Sequence, residues 1–121
     1  MDSDYLALAS LILTAIGLFI VVWARLCLGK NWSLIRTQKS NTKLVTSGPY
    51  HLIRHPIYAG LVLSLLGVTL TMGIYWIIFW AVMVAFFVNS AYIEEKSMTS
   101  RFPKDYSSYK VKTKMLIPFI F

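Results

Sequence analysis

The chain has 121 residues, 57% of them hydrophobic, and twelve Lys and Arg against five Asp and Glu give it a net charge of +7. The length fits one domain, 1–121, and the apolar share exceeds that of ordinary soluble domains. The basic charge has no aromatic–basic stacking platform away from the apolar segments, so no nucleic-acid partner is expected; Cys27, His51 and His55 fall short of a metal-ligand set, and a single cysteine forms no internal disulfide.

Tyr5 to Ala24 is a run of 20 residues without Asp, Glu, Lys or Arg, and His55 to Ile93 is a second run of 39. About 20 apolar residues cross a bilayer core as a helix. The second run would extend roughly 58 Å as one helix, which suits two crossings. Three spans are therefore expected, at about 5–27, 57–72 and 74–92, in an all-α integral membrane fold. "MDSDY" is acidic where a cleaved leader would be basic, so none is expected.

Span one carries only Ser10, Thr14 and Gly17 as small or polar interruptions, Trp23 and Arg25 mark its interface, and Gly29 is expected to end it. Residues 28–56 form a polar loop with turn chemistry in Ser-Asn-Thr and Ser-Gly-Pro. Pro56 suits the first turn of span two, where its missing N–H is not needed. Gly60, Ser64 and Gly67 share one face, as small residues do where helix backbones approach in a membrane. Spans two and three form a hairpin with almost no loop. The third helix continues into the charged "IEEKSMTSRF", Pro103 stops it, and in the tail Met115, Leu116, Phe119 and Phe121 are read as dipping into the interface.

All twelve cations lie in 25–54 and 96–114, which three spans place on one side. The positive-inside pattern then puts the N-terminus outside, and loop 25–54 and the tail 93–121 in the cytoplasm, facing anionic headgroups.

Two features exceed what insertion needs. "GPYHLIRHPIYAG" (48–60) sets Tyr50, Arg54, His55, Pro56 and Tyr58 at the mouth of span two. Glu94 and Glu95 stand at the end of span three, where a helix C-terminus disfavours anions and membrane depth makes them costly. A hairpin returns both features to the same surface. A carboxylate there can hold an ammonium, aromatic faces suit a sulfonium, and backbone groups of "KLVTSGPY" can meet a purine edge. The residues alone point to a small cationic ligand at the membrane face, or to a charge cluster that only anchors the helices.

"LVTSGPYHLIRHPIYAG", the hairpin, "EE", then Phe102, Tyr106, Tyr109 and "LIPF" resemble, in that order, the isoprenylcysteine carboxyl methyltransferase family, over about residues 29–119. That family shares this arrangement with the phospholipid N-methyltransferases. The resemblance implies an enzyme that methylates a lipid-like acceptor from S-adenosyl-L-methionine and releases S-adenosyl-L-homocysteine. A prenylcysteine-like carboxylate is the favoured acceptor, a phospholipid amine the alternative, and a non-catalytic membrane adaptor the second alternative. By position it implies a cofactor pocket of Lys43, Leu44, Val45, Tyr50, His55, Pro56, Tyr58 and Glu94. Lys43 stands where eukaryotic members carry a His. Ser90, beside Asn89, stands where they carry an Arg for the substrate carboxylate, which leaves Arg54, Arg36 or a tail Lys to substitute. The mechanism is positioning, so no catalytic residue is assigned, and Glu95 or a tyrosine is the base only for an amine acceptor. The partners implied are the bilayer and the lipid-like acceptor, with room for a homo-oligomer that walls the lipid-facing side.

Overall fold

The computed structural model describes residues 3–29 and 44–121. Four α-helices make up most of it: α1 (Ser3–Leu28), α2 (Pro56–Met72), α3 (Tyr75–Arg101) and α4 (Pro103–Lys112), with a 3₁₀ turn at Gly48–His51 ahead of α2. Among the described residues the only extended pairing is a single parallel bridge between Ile53 and Lys114.

The helix limits follow local chemistry. α1 stops at Leu28 because Gly29 takes the left-handed conformation, φ +50°. Pro56 opens α2 and Pro103 opens α4, each where a missing N–H costs nothing. Pro103 thus both ends α3 and starts a further helix in the tail. Only Gly73 and Ile74 separate α2 from α3, and Gly73 adopts φ +106°, open to glycine and strained for other residues.

α1 and α3 are each long and apolar enough to cross a membrane, and each keeps only 11% of its most apolar window buried. A core helix of a soluble protein would be mostly buried, so these faces suit lipid. α2 is shorter, at 17 residues.

α2 packs chiefly against α1, in antiparallel fashion. The small residues seen in the sequence make this approach: a Cβ added at Gly67 would stand 2.7 Å from the Ser10 carbonyl oxygen, and one at Gly60 would stand 2.5 Å from that of Gly17. Polar side chains stitch the seam. Ser10 donates to the Gly67 carbonyl, Thr14 to that of Ser64 (3.3 Å), and Ser64 back to that of Thr14 (3.1 Å). In an apolar surrounding these groups have no water to turn to, so pairing them across the seam removes a desolvation cost.

α3 returns antiparallel to α2. The Trp80 indole N–H donates to the Val62 carbonyl at 2.9 Å, and Tyr58 stacks on Phe87 with ring centroids 5.3 Å apart. The end of α1, the start of α2, the end of α3 and all of α4 therefore gather at one pole. The described cations Arg25, Arg54, Lys96, Arg101, Lys104, Lys110, Lys112 and Lys114 gather with them. The tail corrects one expectation: Met115 and Leu116 do not dip outward but form a small core with Ala91, against Tyr58, Ala59 and Val88.

Candidate functional site

The site is built where the segment before α2 meets the last turns of α3. The chain from Gly48 to His55 is held by the tail. Tyr109 donates to the carbonyls of Tyr50 (2.6 Å) and Ile53 (3.3 Å). The Arg54 amide donates to the Lys114 carbonyl at 2.8 Å, the His55 amide to that of Met115 at 3.1 Å, and the Lys114 amide to that of Leu52 at 3.2 Å. These bonds fix Arg54 and His55 before α2 begins.

The two side chains then diverge onto the carboxylate pair. His55 lies buried between Glu94 and Glu95, with Nδ1 3.4 Å from Glu94 Oε2 and Nε2 2.8 Å from Glu95 Oε2. Arg54 Nε stands 3.3 Å from the same Glu95 oxygen, and its Nη1 donates to the carbonyls of Thr113 (2.8 Å) and Lys110 (3.2 Å). Tyr58, one turn into α2, donates to Glu94 Oε1 at 2.7 Å.

Adjacent positions on α3 point about 100° apart, so the two glutamates differ in environment. The Glu95 side chain is 4% exposed and the Glu94 side chain 27%. Glu95 is committed to Arg54 and His55. Glu94 is oriented by Tyr58 and still open to solvent. A carboxylate held in place by Tyr58 and half-open to solvent has the chemistry to take an ammonium.

Burial opposes a charge on His55, but the hydrogen bonds it donates to Glu94 and Glu95 outweigh it and raise its pKa above the ordinary imidazole value. Both ring nitrogens facing carboxylates fit that charged form. Burial above all raises the phenols of Tyr50, Tyr106 and Tyr109, so they remain neutral donors.

Of the residues read from the sequence, the fold brings His55, Pro56, Tyr58 and Glu94 together at the mouth of α2, with Tyr50 buried in the 3₁₀ turn. Leu44 and Val45 are half-buried in the irregular chain before that turn, and Lys43 and Arg36 lie outside the described residues. Asn89 and Ser90 sit one turn before the carboxylates, Asn89 exposed and Ser90 half-buried. Arg54, read for the acceptor, has its guanidinium engaged by Glu95, Lys110 and Thr113. Glu95, read as a base for an amine, lies behind His55 and Arg54. Sequence reasoning missed the tail's clamp. Its signal was the Tyr106, Tyr109, Thr113 spacing, which lines up two phenols on one face of α4 with the threonine that follows its last residue.

The family model for phospholipid methyltransferases matches residues 6–105, most of the chain. The chain belongs to the phospholipid methyltransferase family. It is also 33% identical over 96 residues to the protein-S-isoprenylcysteine O-methyltransferase of Schizosaccharomyces pombe, which covers 76% of this chain and 41% of that protein. The match bears out the resemblance carried by the motifs, and the chain spans about two fifths of that relative's length. Family and apolar helices together make this a membrane protein.

Proposed function

We propose that this protein is an integral membrane methyltransferase that uses S-adenosyl-L-methionine to methylate a lipid-like acceptor, with the carboxylate of a prenylcysteine-like molecule as the favoured substrate. The observation that carries the reading is Glu94: a half-open carboxylate fixed by Tyr58 at 2.7 Å, with His55 3.4 Å away, beside stacked aromatic rings. The motif resemblance and the match to a protein-S-isoprenylcysteine O-methyltransferase support the acceptor class.

The cofactor, when bound, supplies a methyl group activated by its sulfonium. Glu94 holds the cofactor ammonium. Tyr58 and His55 orient Glu94. Leu44, Val45, Tyr50 and Pro56 wall the remainder, and Lys43, outside the described residues, is assigned to the same pocket by its place in the motif. An ionised carboxylate acceptor is already a nucleophile, so the protein's work is alignment and exclusion of water. Asn89 and Ser90, one turn before Glu94, face the acceptor's polar end.

The second reading, methylation of a phospholipid amine, is favoured by the family model. That acceptor has to lose a proton, and Glu95 would be the base, since the phenols of the site stay protonated. In either case we place three spans in the bilayer, the cation-rich pole in the cytoplasm and the N-terminus outside.

The deciding experiment incubates the protein in bilayer discs with labelled cofactor and, separately, a prenylcysteine panel and a phospholipid extract. Base-labile label on prenylcysteine supports the first reading, and label on headgroup amines the second. If calorimetry detects no binding of S-adenosyl-L-homocysteine, both fall and a non-catalytic adaptor stands.

A further inference from the structure

A cleft opens at the same pole, on the Glu95 side of α3. It measures 360 Å³ and is lined by Arg54, Glu95, Lys110, Thr113 and Lys114, with Tyr92, Met115, Ile120 and Phe121 as its apolar wall. Tyr92 and Glu95, three residues apart, share one face of α3. The cleft holds three cations to one carboxylate, so it favours an anion.

Two of its groups are left wanting. Glu95 Oε1 is buried and accepts no hydrogen bond, while the Lys110 ammonium stands 3.6 Å away, in ionic range but beyond hydrogen-bond reach. A buried acceptor without a donor is costly, and a ligand that brings one relieves that cost. Lys110 is half exposed and Lys114 is exposed, so both ammonium groups can turn to an anion at the cleft mouth.

Depth supplies the remaining constraint. Glu95 lies twenty residues along α3 from Tyr75. That is about 30 Å of helix, the thickness of a bilayer's hydrocarbon core. On the three-span arrangement proposed above, the cleft opens at headgroup level, where its apolar wall can meet acyl chains.

We infer that this cleft binds an anionic phospholipid whose headgroup carries a hydroxyl, as in phosphatidylglycerol. Lys110 and Lys114 take the phosphodiester, the hydroxyl donates to Glu95 Oε1, and Ile120, Phe121 and Tyr92 cover the first methylenes. The site is separate from Glu94 and does not depend on the reaction assigned there.

The test titrates the detergent-solubilised protein with phosphatidylglycerol and follows bound lipid by native mass spectrometry. Phosphatidylmethanol, with the same diester charge but no hydroxyl, and zwitterionic phosphatidylcholine are the comparison lipids. Lys114→Glu probes the cleft: its backbone bonds to Leu52 and Arg54 do not need the side chain. Lys112→Glu, an exposed cation on α4 outside the cleft lining, controls for general charge. The expected result is a preference for phosphatidylglycerol over both comparison lipids, weakened about tenfold by Lys114→Glu and unchanged by Lys112→Glu. Equal losses in the two variants would reduce the effect to surface charge and overturn the site. Equal binding of phosphatidylmethanol would overturn the hydroxyl contact to Glu95. Displacement of the lipid by soluble glycerol phosphate would make this a site for a free phosphate and overturn the lipid assignment.

Discussion

His55 Nε2 meets Glu95 Oε2 at 2.8 Å, and Arg54 Nε reaches the same oxygen at 3.3 Å. Two consecutive residues at the mouth of α2 thus converge on one buried carboxylate near the end of α3. Arg54 then carries the link on to Lys110 and Thr113 in the tail. One oxygen ties together the three pieces of chain that frame the site. The neighbouring Glu94 can be presented half-open because Glu95 carries this load.

Glu95→Gln is therefore a folding variant first. The amide leaves the Arg54 guanidinium without its carboxylate and a charged His55 with Glu94 alone. Removing one partner of a buried ionic set costs about 3–5 kcal/mol. A detergent-solubilised Glu95→Gln protein should show a clearly lowered thermal midpoint. An unchanged midpoint would mean that the tail is held by its backbone bonds alone.

The same cluster predicts a pH dependence. His55 faces Glu94, Glu95, Tyr58 and the neighbouring Arg54, and its pKa is raised above 6.5 because the two carboxylates outweigh burial. A group with a raised folded pKa binds its proton more tightly in the native state. Its contribution is complete below about pH 6.5, the unfolded value, and is lost as pH rises through the folded pKa. Stability should thus decline as pH rises above about 6.5, and His55→Gln should flatten that decline. A wild-type midpoint that rises across this window would reverse the sign and refute the assignment.

Much of this was legible in the sequence because it is local. Gly29 and Pro56 set helix limits through their own backbone chemistry, and the Gly60–Gly67 face announced a close helix. The tail was not legible. Met115 and Leu116 look like interfacial residues in a short apolar segment without period. Only the pairing of Ile53 with Lys114, 61 positions apart, turns them inward. Nor does adjacency separate Glu94 from Glu95: the difference arises from which one Arg54 reaches, and that depends on where the tail anchors Arg54. The small polar residues of α1 were visible, but not that α1 rather than α3 is the main partner of α2.

That partnership gives a stability prediction. At Gly67 a Cβ would press on the Ser10 carbonyl at 2.7 Å, backbone that cannot swing aside. Gly67→Leu should force α1 and α2 apart and cost about 1–3 kcal/mol. Gly73→Ala meets no atom within 4 Å, but its φ of +106° disfavours a side chain. Melting curves of both in the same detergent separate contact from backbone strain. Loss at Gly73 without loss at Gly67 would place the close approach elsewhere.

The most consequential expectation concerns Glu94. On the proposed reading it holds the cofactor ammonium, and its side chain is the more open of the pair, 27% exposed against 4%. Glu94→Gln keeps the size and can still accept from Tyr58, so the fold should be retained. Losing a charged hydrogen bond costs about 1.5–3 kcal/mol, or roughly 10- to 150-fold in affinity for S-adenosyl-L-homocysteine. Tyr58→Phe removes the 2.7 Å bond that orients Glu94 but leaves the ring, so it should weaken binding by a smaller factor, about three- to tenfold. Calorimetry on the two variants, each checked for an intact thermal midpoint, gives the ranking. Wild-type affinity in a folded Glu94→Gln protein would remove Glu94 from the cofactor site. A larger loss in Tyr58→Phe than in Glu94→Gln would point to the phenol itself as the contact.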